Sequence, residues 1–491
     1  MTQAAILLIS IFGLLLFAYL FSIVWLWLNQ SKNTQKLQLD TNTYLIVYAS
    51  QSGQVESFAR QNYAQLQRVG TFVELITIEQ LKLADLQQAS HVLWMVSTYG
   101  EGDAPDPAQS FQQNIMQKNV DLSHLNFAVL AFGDRRYDNF CHFGLELNSW
   151  LMKQNAQSYF DVVCVDQCAE SDLEQWSHHL SQVIGHELEL NKLAKDWVDV
   201  SLLQRTHLNA GSMGEPIYHV EMSCENLQWQ SGDILEIQAA NADWEIEKFL
   251  NEQGEDVNNT EHLQVLKFKN IRQIPTRLAQ ENFANWTARF DALATRDYSI
   301  ASIPEQHTLG LVVRQHQTEQ GLGLGSGWLT ASAKLAENVR VNVRQNLGFQ
   351  LENTAKPMIF IGNGSGIAGL LSHLYSREKS GFDQNWLIFG ERQKTVDYLF
   401  EKQLTAWKKA SFLQHLDVVF SRDQAEKKYV QHVILEQAEQ LRKWIEQGAY
   451  IYVCGSLTGM AQGVDEALNE VLGHTTVERL RKQKRYRRDV Y

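Results

Sequence analysis

Four apolar runs of strand length constrain this chain most, because they alternate with stretches of helical character and three of them end in small-residue loops. They are TYLIVYAS (Thr43–Ser50), FVELITI (Phe72–Ile78), HVLWMVSTYG (His91–Gly100) and NFAVLAFGD (Asn126–Asp134). Continuous apolar runs of this length read as buried strands. Strands alternating with helices give a doubly wound parallel sheet, an α/β architecture whose ligands sit beyond the C-terminal strand ends. The loops at that edge are then Ser50–Val55, Ser97–Asp106 and Gly133–Phe140.

The pattern changes near Leu190. YHVEMSC and DILEIQ alternate their faces as antiparallel strands of a small β-barrel do. From about Pro357 the α/β rhythm returns with MIFIGNGSGIAGLL, NWLIFGER, HLDVVFSRD and AYIYVCGS. With 491 residues the chain has room for two to four domains.

Ahead of the first strand, residues 4–28 carry no charge. A helix of that length spans roughly 37 Å, longer than the roughly 30 Å hydrocarbon core of a bilayer. No Lys or Arg precedes the run, as a signal peptide requires, and Trp25 and Trp27 end it where an interface would lie. Lys32 and Lys36 follow. The expectation is a single transmembrane helix in the cell inner membrane or another membrane, with the rest of the chain on the cytoplasmic side.

Charge and cysteines narrow the partners. Residues 40–190 hold 19 Asp and Glu against 7 Lys and Arg, so nearly all of the net −13 lies in this third. That disfavours nucleic acid and favours a basic protein partner, although acidity for solubility alone reads equally well from charge. The five cysteines (Cys141, Cys164, Cys168, Cys224, Cys454) are scattered and odd in number, which argues for a reducing compartment. Cys164 and Cys168 have no second pair to complete a metal site, so no metal is expected.

The loops carry the chemistry. Ser50, Gln51, Ser52, Gly53 and Gln54 gather N–H and O–H donors at a helix start, an anion site by dipole and donor count, though such turns are also common without a ligand. In the second loop Ser97, Thr98, Tyr99 and Gly100 set a ring among backbone donors, suited to stacking on a flat heterocycle. The third loop, with Gly133, Tyr137, Asn139 and Phe140, brings another tyrosine. One phosphate loop and two tyrosines at one sheet edge describe a mononucleotide carrying a large ring.

In the barrel segment, RDYSIAS offers Arg296 to a pyrophosphate, Tyr298 to a ring face and Ser299 to reactive ring atoms. Gly323, Gly325 and Ser326 add small residues and N–H groups. GNGSGIA, with Gly362, Gly364, Ser365 and Gly366, follows a strand and opens a helix, a dinucleotide loop by position. Ser421, Arg422, Lys427, Tyr429 and Gln431 supply more positive charge than a ribose diol needs and suit a 2′-phosphate, NADPH rather than NADH.

Over residues 43–491 these motifs, in this order, resemble the NADPH-dependent diflavin reductases, of the sulfite reductase flavoprotein and NADPH–cytochrome reductase type. The resemblance implies a flavodoxin-like FMN domain (43–190), a ferredoxin–NADP-reductase-like FAD barrel with a short connector (191–352) and an NADPH domain (353–491), after an anchor and tether (1–42). It implies FMN, FAD and NADPH as cofactors. It also implies a catalytic trio of Ser299, Cys454 and Asp489 beside the flavin, with Tyr491 as a terminal aromatic displaced by nicotinamide. The expected function is membrane-anchored electron transfer from NADPH through FAD and FMN to a haem or other metalloprotein with a basic face. The alternatives are the flavoprotein component of sulfite reductase, or direct reduction of a small acceptor such as a ferric chelate or quinone. Departures from the family pattern are Gln54 in place of Thr, Arg135 and Arg136 in place of small residues, Gly369 in place of Pro, and about 60 residues between Asp233 and Arg296.

Overall fold

A computed structural model describes residues 37, 39–50, 53–98, 102–133, 135, 139–166, 168–188, 197–225, 227–319 and 321–491. The chain divides into two compact units, one of Met1–Ala49 with Val55–Leu190 and the other of Ser50–Gln54 with Asn191–Tyr491.

The first unit is built on a parallel sheet of β1 (Tyr44–Ala49), β2 (Val73–Thr77), β3 (His91–Ser97), β4 (Asn126–Gly133), β5 (Gln157–Ser158) and β6 (Val163–Asp166). The order is β2-β1-β3-β4-β5, with β6 also on β4. All the pairings are parallel, as the uninterrupted apolar runs require. The four strands read from the sequence agree with β1–β4 to within a few residues each, while the short β5 and β6 are not among them. One core beneath the sheet joins Leu45, Val47, Trp94, Val96, Phe127 and Val129 to Phe111, Phe143 and Leu147 of the helices. The strand order reverses direction between β1 and β3, so the loops after them open where a doubly wound sheet holds its ligand.

The second unit carries two sheets. In the first, β7 (Val198–His207), β8 (Ile217–Met222), β9 (Ile234–Ile237), β10 (Arg296–Ser299), β11 (Leu309–Arg314) and β14 (Asn338–Arg344) run antiparallel in the order β10-β9-β14-β7-β8-β11. A bridge between Ile300, just after β10, and Leu311 of β11 ties the two ends and closes the barrel around Leu202, Leu235, Leu311 and Val341. The hairpin β12 (Gln317–Thr318) and β13 (Gly321–Leu322) lies outside it.

The connector between β9 and β10 is no bare loop. It folds as helices Asp243–Gln253, Thr260–Leu266 and Phe283–Ala288 around a core of its own, with Phe249, Phe283, Trp286 and Phe290.

The second sheet is parallel: β15 (Met358–Asn363), β16 (Asn385–Glu391), β17 (Leu413–Phe420), β18 (Tyr450–Gly455) and β19 (Tyr486–Val490), in the order β17-β16-β15-β18-β19. Its last strand is the basic terminal run RYRRDV, which on charge alone reads as a solvated tail. Tyr486 and Val490 are buried instead, and Arg488 pairs with Asp465 at 2.6 Å.

The transmembrane helix and the membrane location are corrected. Among the described residues no helix is long and apolar enough to cross a membrane, and residues 4–28 lie outside the described residues. Hydropathy measures only a segment's tendency to leave water. It does not say what covers the segment, so it does not carry a location.

Candidate functional site

The loops after β1 and β3 each present a hydroxyl that lacks a partner among the described residues. Ser50 directly follows β1 and Thr98 directly follows β3, and both Oγ atoms are buried without a hydrogen bond to a described residue. Buried hydroxyls are normally satisfied, so an oxyanion at these strand ends fits them. Ser97 is already used, donating to the Ala49 carbonyl at 3.3 Å. Gly53 takes a left-handed φ of 77°, just before the helix Gln54–Arg68 opens on Gln54. The second and third loops meet at Gly102, where a Cβ would lie 2.8 Å from that of Asn139. Arg135 stacks its guanidinium over the Phe140 ring at 4.6 Å and gives its backbone N–H to Asp166 at 3.0 Å, so this departure from the family closes the loop after β4 on itself. Gln51, Ser52, Tyr99, Gly100, Arg136 and Tyr137 lie outside the described residues.

On the barrel, β10 brings Arg296, Tyr298 and Ser299 to one edge. Gly325 packs against them so closely that a Cβ there would stand 2.5 Å from Arg296 Cγ and 3.2 Å from the Tyr298 hydroxyl. Only glycine fits, which leaves backbone beside an arginine and a ring, a cradle that suits a pyrophosphate and a flat heterocycle. Gly323 lies against Ser326, whose hydroxyl accepts the His316 N–H at 3.1 Å.

Ser299, Cys454 and Asp489, far apart in sequence, converge. The Ser299 hydroxyl donates to Asp489 Oδ2 at 2.7 Å, and the Cys454 thiol reaches the same oxygen at 3.8 Å. Burial pushes the Asp489 carboxyl above its ordinary value, against the Ser299 hydrogen bond and the charge of Arg344. Burial first, then the Asp489 charge, pushes the Cys454 thiol well up, so it stands as a neutral S–H. Gly369 belongs to this cluster: a Cβ there would be 3.2 Å from Cys454 Sγ and 3.7 Å from Ser299 Cβ.

The dinucleotide loop follows β15 as a single turn, Gly364–Gly366, before the helix Ile367–Lys379. Its glycines permit close approach to β18: Cβ atoms on Gly362 and Gly366 would lie 2.6 and 2.2 Å from the Cys454 carbonyl oxygen. The terminal residue docks here. Tyr491 gives its N–H to the Gly455 carbonyl at 3.0 Å and its hydroxyl to Ser365 at 3.2 Å, with 53% of the residue exposed.

Past β17, the backbone N–H groups of Ser421 and Arg422 are held by Glu391 and Arg392 carbonyls at 2.9 and 2.8 Å. The Arg422 and Lys427 side chains are exposed and make no ion pair among the described residues. The exposed Tyr429 ring lies 5.7 Å from that of His432. Gln431 keeps Oε1 buried and unpartnered.

Three residues at these sites carry no motif. Arg344 pairs with Glu236 at 3.2 Å and Asp297 at 2.5 Å, fastening β14 to β9 and β10. Arg314 and Glu391 flank Gly364 from the ends of β11 and β16. Their one signal in sequence is a charge closing an apolar strand run, at LVVR and LIFGE.

Comparison with known proteins agrees with this arrangement. Residues 46–179 match the flavodoxin family and residues 360–466 the oxidoreductase NAD-binding domain. The sulfite reductase [NADPH] flavoprotein alpha-component of Vibrio parahaemolyticus is 31% identical over 91% of this chain and 86% of its own. That of Vibrio cholerae is 30% identical over 91% and 87%, and that of Buchnera aphidicola 26% over 96% and 94%. FMN, FAD and NADPH are the cofactors of such an oxidoreductase. The chain belongs to the NADPH-dependent diflavin reductase family.

Proposed function

We propose that the chain is the flavoprotein component of a sulfite-reductase-type system, delivering electrons from NADPH to a separate metalloprotein. The observation that carries this is the near full-length match to sulfite reductase flavoprotein components on both sides of the alignment. The acidic first unit suits a partner with a basic face. In this reading 43–190 is the FMN domain, 191–352 the FAD barrel with its helical connector, and 353–491 the NADPH domain.

When bound, NADPH, FAD and FMN would supply hydride transfer and its division into single-electron steps. The chain's residues position and shield that chemistry. Ser50 and Thr98 hold the FMN phosphate with their open hydroxyls, while Arg296, Tyr298, Gly325 and Ser326 seat FAD. Gly362, Gly364, Ser365 and Gly366 hold the dinucleotide's phosphates, and Ser421, Arg422, Lys427, Tyr429 and Gln431 its 2′-phosphate end. Asp489 fixes the Ser299 hydroxyl at Oγ and keeps the Cys454 proton at Sγ, so both side chains stand in one orientation. The Tyr491 ring is held at Ser365 by its hydroxyl and is the group that would give way to a nicotinamide, while its backbone N–H is held by Gly455.

The test is reoxidation of the NADPH-reduced full chain by the haemoprotein component of a sulfite reductase, across ionic strength. Fast transfer that slows as salt rises supports the reading. No transfer to the haemoprotein, with salt-insensitive reduction of a ferric chelate or quinone, favours a small acceptor instead.

A further inference from the structure

Glu391 closes β16 with a carboxyl of which one oxygen has no hydrogen-bond partner among the described residues. Its side chain is only 8% exposed. Oε2 accepts the backbone N–H of Arg392 at 3.2 Å, while Oε1 is buried with no hydrogen-bond partner. A buried carboxyl oxygen without a partner calls for one from outside the chain.

Its position says what kind. A Cβ on Gly364 would stand 3.7 Å from Glu391 Oε1 and 2.5 Å from Arg314 Nη2. A carboxyl and a guanidinium therefore both lie close to Gly364. Below it, the loop opens the 13-residue helix Ile367–Lys379, whose first N–H groups and dipole attract anions. Two of the three neighbours thus select a phosphate. An ionised carboxylate would repel it, whereas a protonated carboxyl offers an O–H.

The surroundings permit that protonated state. Arg314 from β11 and Arg392, next in the chain, favour the ionised form, while Asp397 from the helix Lys394–Asp397 opposes it. From β15 the neighbours are Asn363 and Gly364, and from β17 the Ser421 N–H binds the Glu391 carbonyl rather than the carboxyl. Burial outweighs the two arginines and pushes the carboxyl up to about 7.

We propose that the Glu391 carboxyl donates a hydrogen bond to a phosphate oxygen of the dinucleotide seated at Gly364, beside Arg314. This rests on the assignment of Gly362–Gly366 as the dinucleotide loop. The proton comes from solvent, so above neutral pH binding takes up a proton and becomes weaker. Glu391 is then a specificity residue for an anionic ligand and couples cofactor affinity to pH.

The experiment is calorimetric titration of the full chain with NADP+ from about pH 6 to 8.5, in two buffers of different ionisation enthalpy. Affinity should fall as pH passes 7, approaching about tenfold per unit in the limit of one obligatory proton, with net proton uptake. Glu391→Gln keeps a donor without a titration, so it should bind NADP+ while losing that slope and uptake. The phosphates of the ligand titrate alike in both proteins and cancel. The same slope and uptake in Glu391→Gln overturns the proposal, as does wild-type affinity that rises with pH, the sign of a carboxylate accepting from a ribose hydroxyl or carboxamide. Wild-type binding separates the two readings. If the full chain does not bind NADP+, the dinucleotide assignment falls and this proposal with it. If it binds while Glu391→Gln keeps the wild-type slope, only the role of Glu391 falls.

Discussion

An alanine at Gly366 has nowhere to put its methyl group. Its φ of −60° and ψ of −16° are ordinary helical values, so alanine carries no backbone penalty and any cost is steric. The Cβ would lie 2.2 Å from the Cys454 carbonyl oxygen, 2.5 Å from its carbon and 2.5 Å from Gly455 Cα. Carbon contacts relax only near ~3.5 Å, so loop and strand must part by about 1 Å. All three obstructing atoms are backbone of β18, paired to β15 on one side and β19 on the other, so no rotamer relieves the clash. Overpacking of this kind costs about 1–3 kcal/mol, or about 2–12 °C in melting temperature for a unit of this size. The same displacement moves Gly455, which holds the Tyr491 N–H, so NADP+ affinity is expected to fall too. Gly369→Ala is the internal control. Its Cβ would meet Phe349 Cε1 at 3.1 Å and Cys454 Sγ at 3.2 Å, side-chain atoms that can yield, and helical alanine regains about 0.5–1 kcal/mol over glycine. It should therefore melt within about 1 kcal/mol of wild type. The measurements are calorimetric melts and NADP+ titrations of the full chain. A Gly366→Ala protein that melts with wild type, or a Gly369→Ala protein that suffers more, would refute the reasoning.

Arg422→Ala removes an exposed cation with no ion pair among the described residues, and it should weaken NADPH relative to NADH by about 1.5–3 kcal/mol. Equal cofactor preference in the two proteins sinks that assignment. Deleting Tyr491 removes the hydroxyl bond to Ser365 and should raise NADH use; unchanged kcat/KM ratios for the two cofactors count against a displaceable terminus. Ser299→Ala strips a 2.7 Å bond from the ionised form of Asp489, raising a carboxyl that burial already holds above its ordinary value. The acid limb of NADPH-driven flavin reduction should move to higher pH, while Ser299→Thr, which keeps the hydroxyl, leaves it in place. The folded value lies above the unfolded one, so the group's stabilisation is present at acid pH and lost as pH rises through the folded value. Ser299→Ala should then cost more stability at neutral pH than in acid, and equal loss at both overturns the linkage.

What was legible in the sequence was what local pattern dictates. The parallel strands announced themselves because strands buried on both faces read as continuous apolar runs, and the glycine loops because close backbone approach excludes a Cβ. The convergence of Ser299, Cys454 and Asp489 came from resemblance alone, since 190 residues separate the first from the last. Glu391 and Arg314 were passed over because a charge at a strand end is unremarkable until burial and an empty valence are seen. The apolar N-terminal run misled for the opposite reason: its hydropathy was strong, but hydropathy does not name the solvent.

The terminal strand explains why chemistry and access are tied in this fold. β19 pairs with β18 in parallel, with Asp489 opposite Cys454 and Val490 opposite Gly455. Side chains two apart on a strand share a face, so Arg487 and Asp489 lie on one face, and Tyr486, Arg488 and Val490 on the other. The burial follows that division: Tyr486, Arg488 and Val490 are buried, with Arg488 on Asp465, while Arg487 reaches Glu352 at 2.7 Å. On the first face Asp489 meets Ser299, and two residues on, past the strand's end, Tyr491 meets Ser365. The two residues that the proposed function places beside the flavin and over the nicotinamide site are thus set by one register. A slip of a single residue would turn Asp489 to the opposite face of the strand and leave Ser299 without its acceptor. The ion pair of Arg488 with Asp465 at 2.6 Å and the burial of Tyr486 and Val490 oppose that slip. The basic run at the chain's end therefore serves as the clamp that fixes the register on which both functions depend.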